Sequence, residues 1–342
     1  KITVGSSAVL VFSAVGSNSQ EIAVGSKSQI NVALSTDTKS LQEVVVVGYG
    51  TQKKSQMTGA ISSVTSKQIT EMRITNLGQA MQGRVAGVDV AQSGSKPGTV
   101  PRVLIRGRRS FNAGNDPLYV VDGIPLSGGY EDMNPNDVES MEILKDASAT
   151  AIYGARGANG VVLITTKKGK GAGMSVSFNA FTGTQNVPMK GRLDMMNAEE
   201  FAQFKKESFE DAKQPVPAEF QNPSQYKDKD NDWYNSLLNK DAPISSYNLS
   251  ITSNKEKSRT SLVAGVLQQK GVVRNTDYQR YSLRLNSTYD ISDKVTVGFN
   301  VAPQMVYDNT PRTDGDRGTG ILFNALHTWP IMPIYEADGK TL

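Results

Sequence analysis

The sequence predicts an α+β domain followed by antiparallel strands of an incomplete transmembrane β-barrel, preceded by part of a β-sandwich. Three observations open that prediction, and the lengths of the connections between the strands decide the barrel. Between residues 57 and 170, short apolar runs alternate with short amphipathic segments and glycines, the mixture of a compact α+β domain. From Met174 the pattern changes to strict period two, with one apolar face and one polar or small face. No run approaches the ~18–20 apolar residues of a membrane helix, so a spanning helix is excluded. A barrel is not excluded, because its signal is alternation rather than bulk hydrophobicity.

The 342 residues are 38% apolar and 20% charged, a balance that suits a folded chain. A net charge of +4 is too slight to argue for nucleic acid. There is no cysteine, hence no disulfide and no thiolate metal site, and one histidine, His327, cannot build a metal cluster by itself. No Ser-His-Asp or Cys-His constellation is evident, so the chain reads as non-enzymatic and without a cofactor. Lys1 lacks a preceding methionine or signal segment, and Leu342 follows a Gly-Lys turn with no closing element. The sequence therefore reads as cut at both ends.

Residues 1–38 form short alternating runs at Ile2–Val4, Val9–Phe12, Glu21–Val24 and Ile30–Leu34, punctuated by Gly5, Gly16 and Gly25. That spacing suits a small antiparallel sandwich, though so short a stretch makes only a marginal core. Residues 39–56 read as a linker carrying Glu43, Val44, Val45, Val46, Val47 and Gly48. Four consecutive valines favour a strand, and an isolated strand invites pairing with a foreign sheet edge. An ordinary strand of the preceding sandwich fits the same residues.

Within 57–170, strands are expected at Met57–Val64, Val88–Val90, Val103–Gly107, Leu118–Val121 and Val161–Thr165. Asn76–Val85 reads as a short helix stopped by Gly83 or Gly87. The most distinctive stretch opens as LYVVDGIPLSGG and continues as NPNDVESMEILKDASATAIYGARGANGVVLITTKKG. Its first apolar run ends on an Asp122-Gly123 turn. Behind Asn134-Pro135 an amphipathic helix is expected, with Val138, Met141, Ile143 and Leu144 as its apolar stripe. Asp137, Glu139, Glu142, Lys145 and Asp146 would occupy its solvated face. A bend at Gly154, Gly157 and Gly160 then feeds Val161–Ile164.

This stretch resembles the plug domain of TonB-dependent outer-membrane transporters, in the version found in the SusC/RagA family. The resemblance extends over nearly the whole chain and is sharpest over 41–56 and 118–168. It implies a partial carboxypeptidase-regulatory-like domain at 1–38, a TonB box at Glu43–Gly48 within the 39–56 linker, and a plug at 57–170. Barrel strands and extracellular loops would fill 171–342. It further implies outer-membrane localisation, with plug and N-terminal domain facing the periplasm and the barrel against lipid. The expected partners are TonB, a SusD-like surface lipoprotein and an oligosaccharide or peptide cargo, with no nucleic acid. A siderophore or cobalamin receptor shares the plug and barrel but lacks the lipoprotein. A signalling or interaction role through the N-terminal domain is the alternative from another class.

Strands are expected near 174–185, 244–253, 258–268, 278–290 and 294–307. The alternation by itself suits a one-sided soluble sheet equally well. Connection lengths separate the two. If the first strand rises from a periplasmic plug, the short turns at Asn254–Lys257 and Ile291–Asp293 fall on the periplasmic side. The long excursions, 186–243 and 308 onward, then fall outside the cell, the asymmetry of outer-membrane barrels. The first excursion is expected to hold a polar helix from Ala198 to about Lys213 with Phe201, Phe204 and Phe209. A plugged transporter needs about 22 strands, so these make only part of one.

Gly154, Gly157 and Gly160 superficially suggest phosphate cradling, but the order helix–glycines–strand is the reverse of a dinucleotide loop. They suit a sharp turn running close to the barrel wall. Arg102, Arg106, Arg108 and Arg109 cluster at a strand end, and inside a barrel they would pair with wall carboxylates. The resemblance places Arg102, Arg106, Asp122, Gly123 and Arg156 in the plug core, with a structural or gating role preferred over cargo contact. Asp228, Asp230 and Asp232 are calcium-like in spacing, but Trp233 and Asn239 stand where a calcium loop needs glycine and glutamate. No metal site is expected.

Overall fold

The computed structural model describes residues 8–12, 20–25, 29–30, 32–33, 44–47, 50–53, 61–92, 94, 96–126, 130, 132–169, 173–190, 192–229, 231–309, 311 and 320–334. The expected strand at Ile2–Val4, Glu43 and Gly48 of the valine segment, the start of the strand expected from Met57, and Asp230 lie outside them. The chain divides into two compact units, Lys1–Thr58 and Gly59–Leu342.

In the first unit, β1 (Val9–Phe12) pairs antiparallel with β2 (Gln20–Ala23). Ile30, Val32 and Ala33, expected in a further strand, are in none; alternation gives a strand its faces but not a partner edge. The valine segment does not stand alone. It forms β3 (Val44–Val47), paired antiparallel with β4 (Gly50–Lys53) as a hairpin in which Val47 faces Gly50.

The second unit opens with β5 (Ile61–Thr65) and α1 (Ser66–Glu71), where Gln68 Oε1 reaches back to accept the Thr65 amide at 2.9 Å. Helix α2 (Leu77–Met81) is capped by Asn76 and ends before Gly83, whose φ of 69° no helix continues. Then follow β6 (Val88–Ala91), β7 (Arg102–Ile105), β8 (Leu118–Val121), β9 (Ile124–Pro125), β10 (Val138–Leu144), α3 (Ala147–Thr150) and β11 (Val161–Thr166). The main sheet runs β5-β10-β11-β8-β9, with β8 and β11 parallel, while β6 and β7 form a separate ribbon. Val64, Met141, Ile143, Val162 and Ile164 pack against Ile69 of α1 and Leu77 and Met81 of α2.

The helix expected behind Asn134-Pro135 is a strand. Only Pro135–Asp137 makes a 3-10 turn before β10 begins. Paired on both edges, β10 buries Met141 and Ile143 in one apolar cluster and Leu144 in another. The helix-like spacing of its apolar residues is coincidental, because short apolar runs carry little periodicity. Asp137 and Glu142, expected on a solvated face, are only 4% exposed.

A meander follows, made of β12 (Gly173–Gln185), β13 (Ala242–Lys255), β14 (Ser258–Lys270), β15 (Asp277–Ser292), β16 (Val295–Val301) and β17 (Gln304–Asn309). Both β16 and β17 pair with β15, as two halves of the single strand expected at 294–307. The break falls at Pro303, which has no amide to give the ladder. The sheet is open, and successive strands lie side by side. Phe178, Leu249, Ala264 and Leu283 are register partners on its outer face, which carries the exposed Val176, Phe299 and Tyr307. Ser246, Asn248, Ser261 and Asn286 face inward. The short turns fall at Glu256-Lys257 and Asp293-Lys294.

The excursion after β12 contains α4 (Ala198–Asp211) and α5 (Trp233–Ser236); α6 (Ile321–His327) follows β17. Phe220 is buried among Phe201, Phe209 and Trp329 at ring separations of 5.9–6.3 Å. Trp233 Nε1 also donates to the Met332 carbonyl at 3.2 Å, so the two excursions share one aromatic core.

Candidate functional site

The α+β domain sits against the inner face of the meander through the segment 132–137. Asn134 Nδ2 donates to Asn248 Oδ1 on β13 at 2.9 Å and to Ser282 Oγ on β15 at 3.1 Å. Its Oδ1 accepts the Asn136 amide at 3.0 Å, which fixes the side chain. Beside it, the Tyr278 hydroxyl donates to Asp132 Oδ1 at 3.4 Å and Arg280 Nη1 to the Met133 carbonyl at 3.5 Å.

Four residues beyond Arg280 on β15, Arg284 Nε donates to Asp137 Oδ2 at 3.0 Å. The side chains are 12% and 5% exposed, so water screens the pair little. Arg284 Nη1 reaches Asn300 Oδ1 at 3.1 Å, and Asn300 Nδ2 reaches Asp122 Oδ2 at 3.3 Å. Asp122 accepts the Thr166 amide and hydroxyl at 3.0 and 2.6 Å. Asn286 Nδ2 donates to Thr166 Oγ1 at 2.9 Å and to the Lys167 carbonyl at 3.0 Å, and the Lys167 amide donates back to the Asp137 carbonyl at 2.8 Å. The bonds thus close a circuit through Asp137, Arg284, Asn300, Asp122, Thr166, Asn286 and Lys167. Burial pushes the Asp137 carboxyl above its ordinary pKa despite the opposing pull of Arg284. It pushes the Lys167 amine below its ordinary value against Glu139 and Asp137. This is an assembly of complementary polar surfaces, and it contains no nucleophile–base pair.

Residues 53–161 match the TonB-dependent Receptor Plug Domain family. The chain is 41% identical over 338 residues to the TonB-dependent receptor P26 of Formosa agariphila, covering 97% of this chain and 33% of that protein. It is 31% identical over 342 residues to the TonB-dependent receptor SusC of Bacteroides thetaiotaomicron, covering 96% and 32%. The structure of the RagAB peptide importer in its closed-closed state superposes with a TM-score of 0.69 at 31% identity, over 83% of this chain and 35% of that one. The chain belongs to the SusC/RagA family of TonB-dependent receptors. It spans about a third of the length of the curated relatives it matches. The α+β domain is the plug, and the meander is part of the barrel wall. As in the family, its place is the outer membrane, with the plug facing the periplasm.

In this receptor, Asp122 and Gly123 form the tight β8–β9 turn, both with positive φ (48° and 87°), and Asp122 belongs to the plug–wall circuit. Arg102 is half-buried on β7, Arg106 follows it in the left-handed region (φ 60°), and Arg156 is exposed. Arg106 pairs with Asp146 of the plug itself, and Arg109 donates to the Ala158 carbonyl. Between plug and wall, the ion pair among the described residues has the plug supplying Asp137 and the wall supplying Arg284. The close approach of Gly160 is not to the wall. A Cβ there would lie 2.7 Å from Ile105 Cδ1, so this glycine packs β11 onto β7. No group of acidic residues or histidine that could hold a metal occurs among the described residues, and Asp232 caps α5 instead. Asn134, Arg284, Asn286 and Asn300 escaped the sequence reading. The available signal was their polarity at inward positions of the barrel strands and behind the Asp122-Gly123 turn.

Proposed function

We propose that the whole receptor imports a nutrient, an oligosaccharide or a peptide, across the outer membrane. TonB would draw on the Val44–Val47 segment from the periplasm, and a SusD-like lipoprotein would close over the extracellular loops. The observation that carries this reading is the polar circuit between plug and wall. Its neutral hydrogen bonds contribute only about 0.5–1.5 kcal/mol net each and its charged ones about 1.5–3 kcal/mol, because water replaces them when the surfaces part. A plug held in this way separates under load and seats again, whereas an apolar seal would expose its surface to water. A strand that pairs along one edge only among the described residues suits capture by β-augmentation, in which several backbone bonds share the load. Similarity to the RagAB peptide importer supports the peptide arm of the cargo class.

The test is binding of the periplasmic domain of TonB to the full-length receptor carrying Val45→Pro. Proline removes an amide from the strand, so binding is expected to fall sharply. Unchanged binding would mean that coupling uses another segment.

A further inference from the structure

We propose that Asn134 of the plug and Gly265 of the barrel wall form a key and socket that sets where the plug seats. Asn248, Gly265 and Ser282 are register partners across β13, β14 and β15, so they form one inward row. The Asn134 amide lies over the middle of that row and bonds to both flanking side chains. A Cβ at Gly265 would lie 2.2 Å from Asn134 Nδ2, 2.7 Å from Asn248 Oδ1 and 2.9 Å from Ser282 Oγ. Every other residue would therefore push the amide out.

Gly265 does not adopt the left-handed backbone that would otherwise require glycine. A glycine inside a strand weakens it, and close approach of another group is what remains to explain this one. The next inward positions along β14 are Val263 and Leu267, both buried and apolar. Sliding the plug by two residues, about 7 Å, would place the amide on the Val263 or Leu267 side chain, which fills the space that Gly265 leaves open between its polar neighbours. A one-residue slip would set the amide over the backbone of Ala264 or Val266, whose side chains point to the outer face. Only one position on this strand combines a hole with two flanking polar partners. The seat is thus specified, and Asn134 and Gly265 are positioning residues for the closed state.

The test uses the full-length receptor in cells lacking TonB, so that passive leakage is read apart from energised import. The probe is entry of vancomycin, with the amount of receptor in the outer membrane measured alongside. Gly265→Ala meets only the ends of side chains, so the barrel is expected to assemble normally while the key is expelled. Losing its two hydrogen bonds raises the unseated fraction about tenfold or more, and vancomycin entry with it. The double variant Gly265→Ala/Asn134→Ser is expected to leak less than Gly265→Ala, since serine removes the clashing nitrogen and keeps an oxygen for the Asn136 amide, although it does not remake the two wall bonds. Asn134→Leu, which leaves the wall untouched, is expected to leak as Gly265→Ala does. A wild-type seal in both single variants, or a double variant as leaky as Gly265→Ala, would overturn the proposal.

Discussion

Asp137 of the plug and Arg284 of the barrel, 147 positions apart in sequence, meet at 3.0 Å in a buried ion pair. Removing one partner leaves the other charge uncompensated away from water, which costs about 3–5 kcal/mol. Replacing both with apolar residues of similar volume removes that penalty. Asp137→Leu and Arg284→Met alone are therefore expected to lower the denaturant midpoint of the full-length receptor, and the double variant to recover most of the loss. Equal loss in all three would mean that the pair is not coupled.

The same carboxyl gives plug docking a pH dependence. Burial raises the Asp137 pKa above its usual 3.8, so the docked state favours the protonated form relative to a solvent-exposed carboxyl. The stability it contributes is full below about 3.8 and is lost as pH rises through the raised value. Protection of the plug from protease should increase as pH falls through that window. The increase should be absent in Asp137→Asn, which does not titrate.

The Asp122-Gly123 turn holds the circuit from the plug side. Gly123→Ala places a Cβ at φ 87°, a left-handed strain of about 1–2 kcal/mol. Asp122→Ala removes the acceptor for Thr166 and Asn300 and is expected to cost about 1–3 kcal/mol. Faster hydrogen exchange at the β8 and β11 amides, with exchange on β13 unchanged, is the expected readout.

The outer face of the wall makes a contrasting prediction. Leu283 sits in the row Phe178–Leu249–Ala264–Leu283, so Leu283→Arg is expected to destabilise the receptor in lipid vesicles by about 2–4 kcal/mol. Ser250→Arg, on the inner face, should leave lipid contacts intact and act on the plug instead. Urea titration in vesicles distinguishes them, and equal losses would contradict the assignment of faces.

The wall was legible because alternation in Met174–Ala180 and Tyr281–Leu285 fixes two faces whatever the tertiary context. The Asp122-Gly123 turn was legible because its chemistry is local. Val138–Leu144 was misread because seven residues with apolar side chains on both faces fit either period, and what decides is the presence of β5 and β11 on either edge. Asp137 looked solvated for a related reason. Its partner lies on a distant strand, and nothing local distinguishes a paired carboxylate from an exposed one. Asn134 and Gly265 become meaningful only when β13, β14 and β15 are set in register.

The most direct measurement is uptake of labelled oligosaccharides and peptides by cells carrying the full-length receptor, with and without residues 43–48. Energised import through this receptor predicts uptake of one cargo class that disappears with the deletion while the receptor remains in the outer membrane. Uptake that persists undiminished without those residues would contradict coupling through the valine strand.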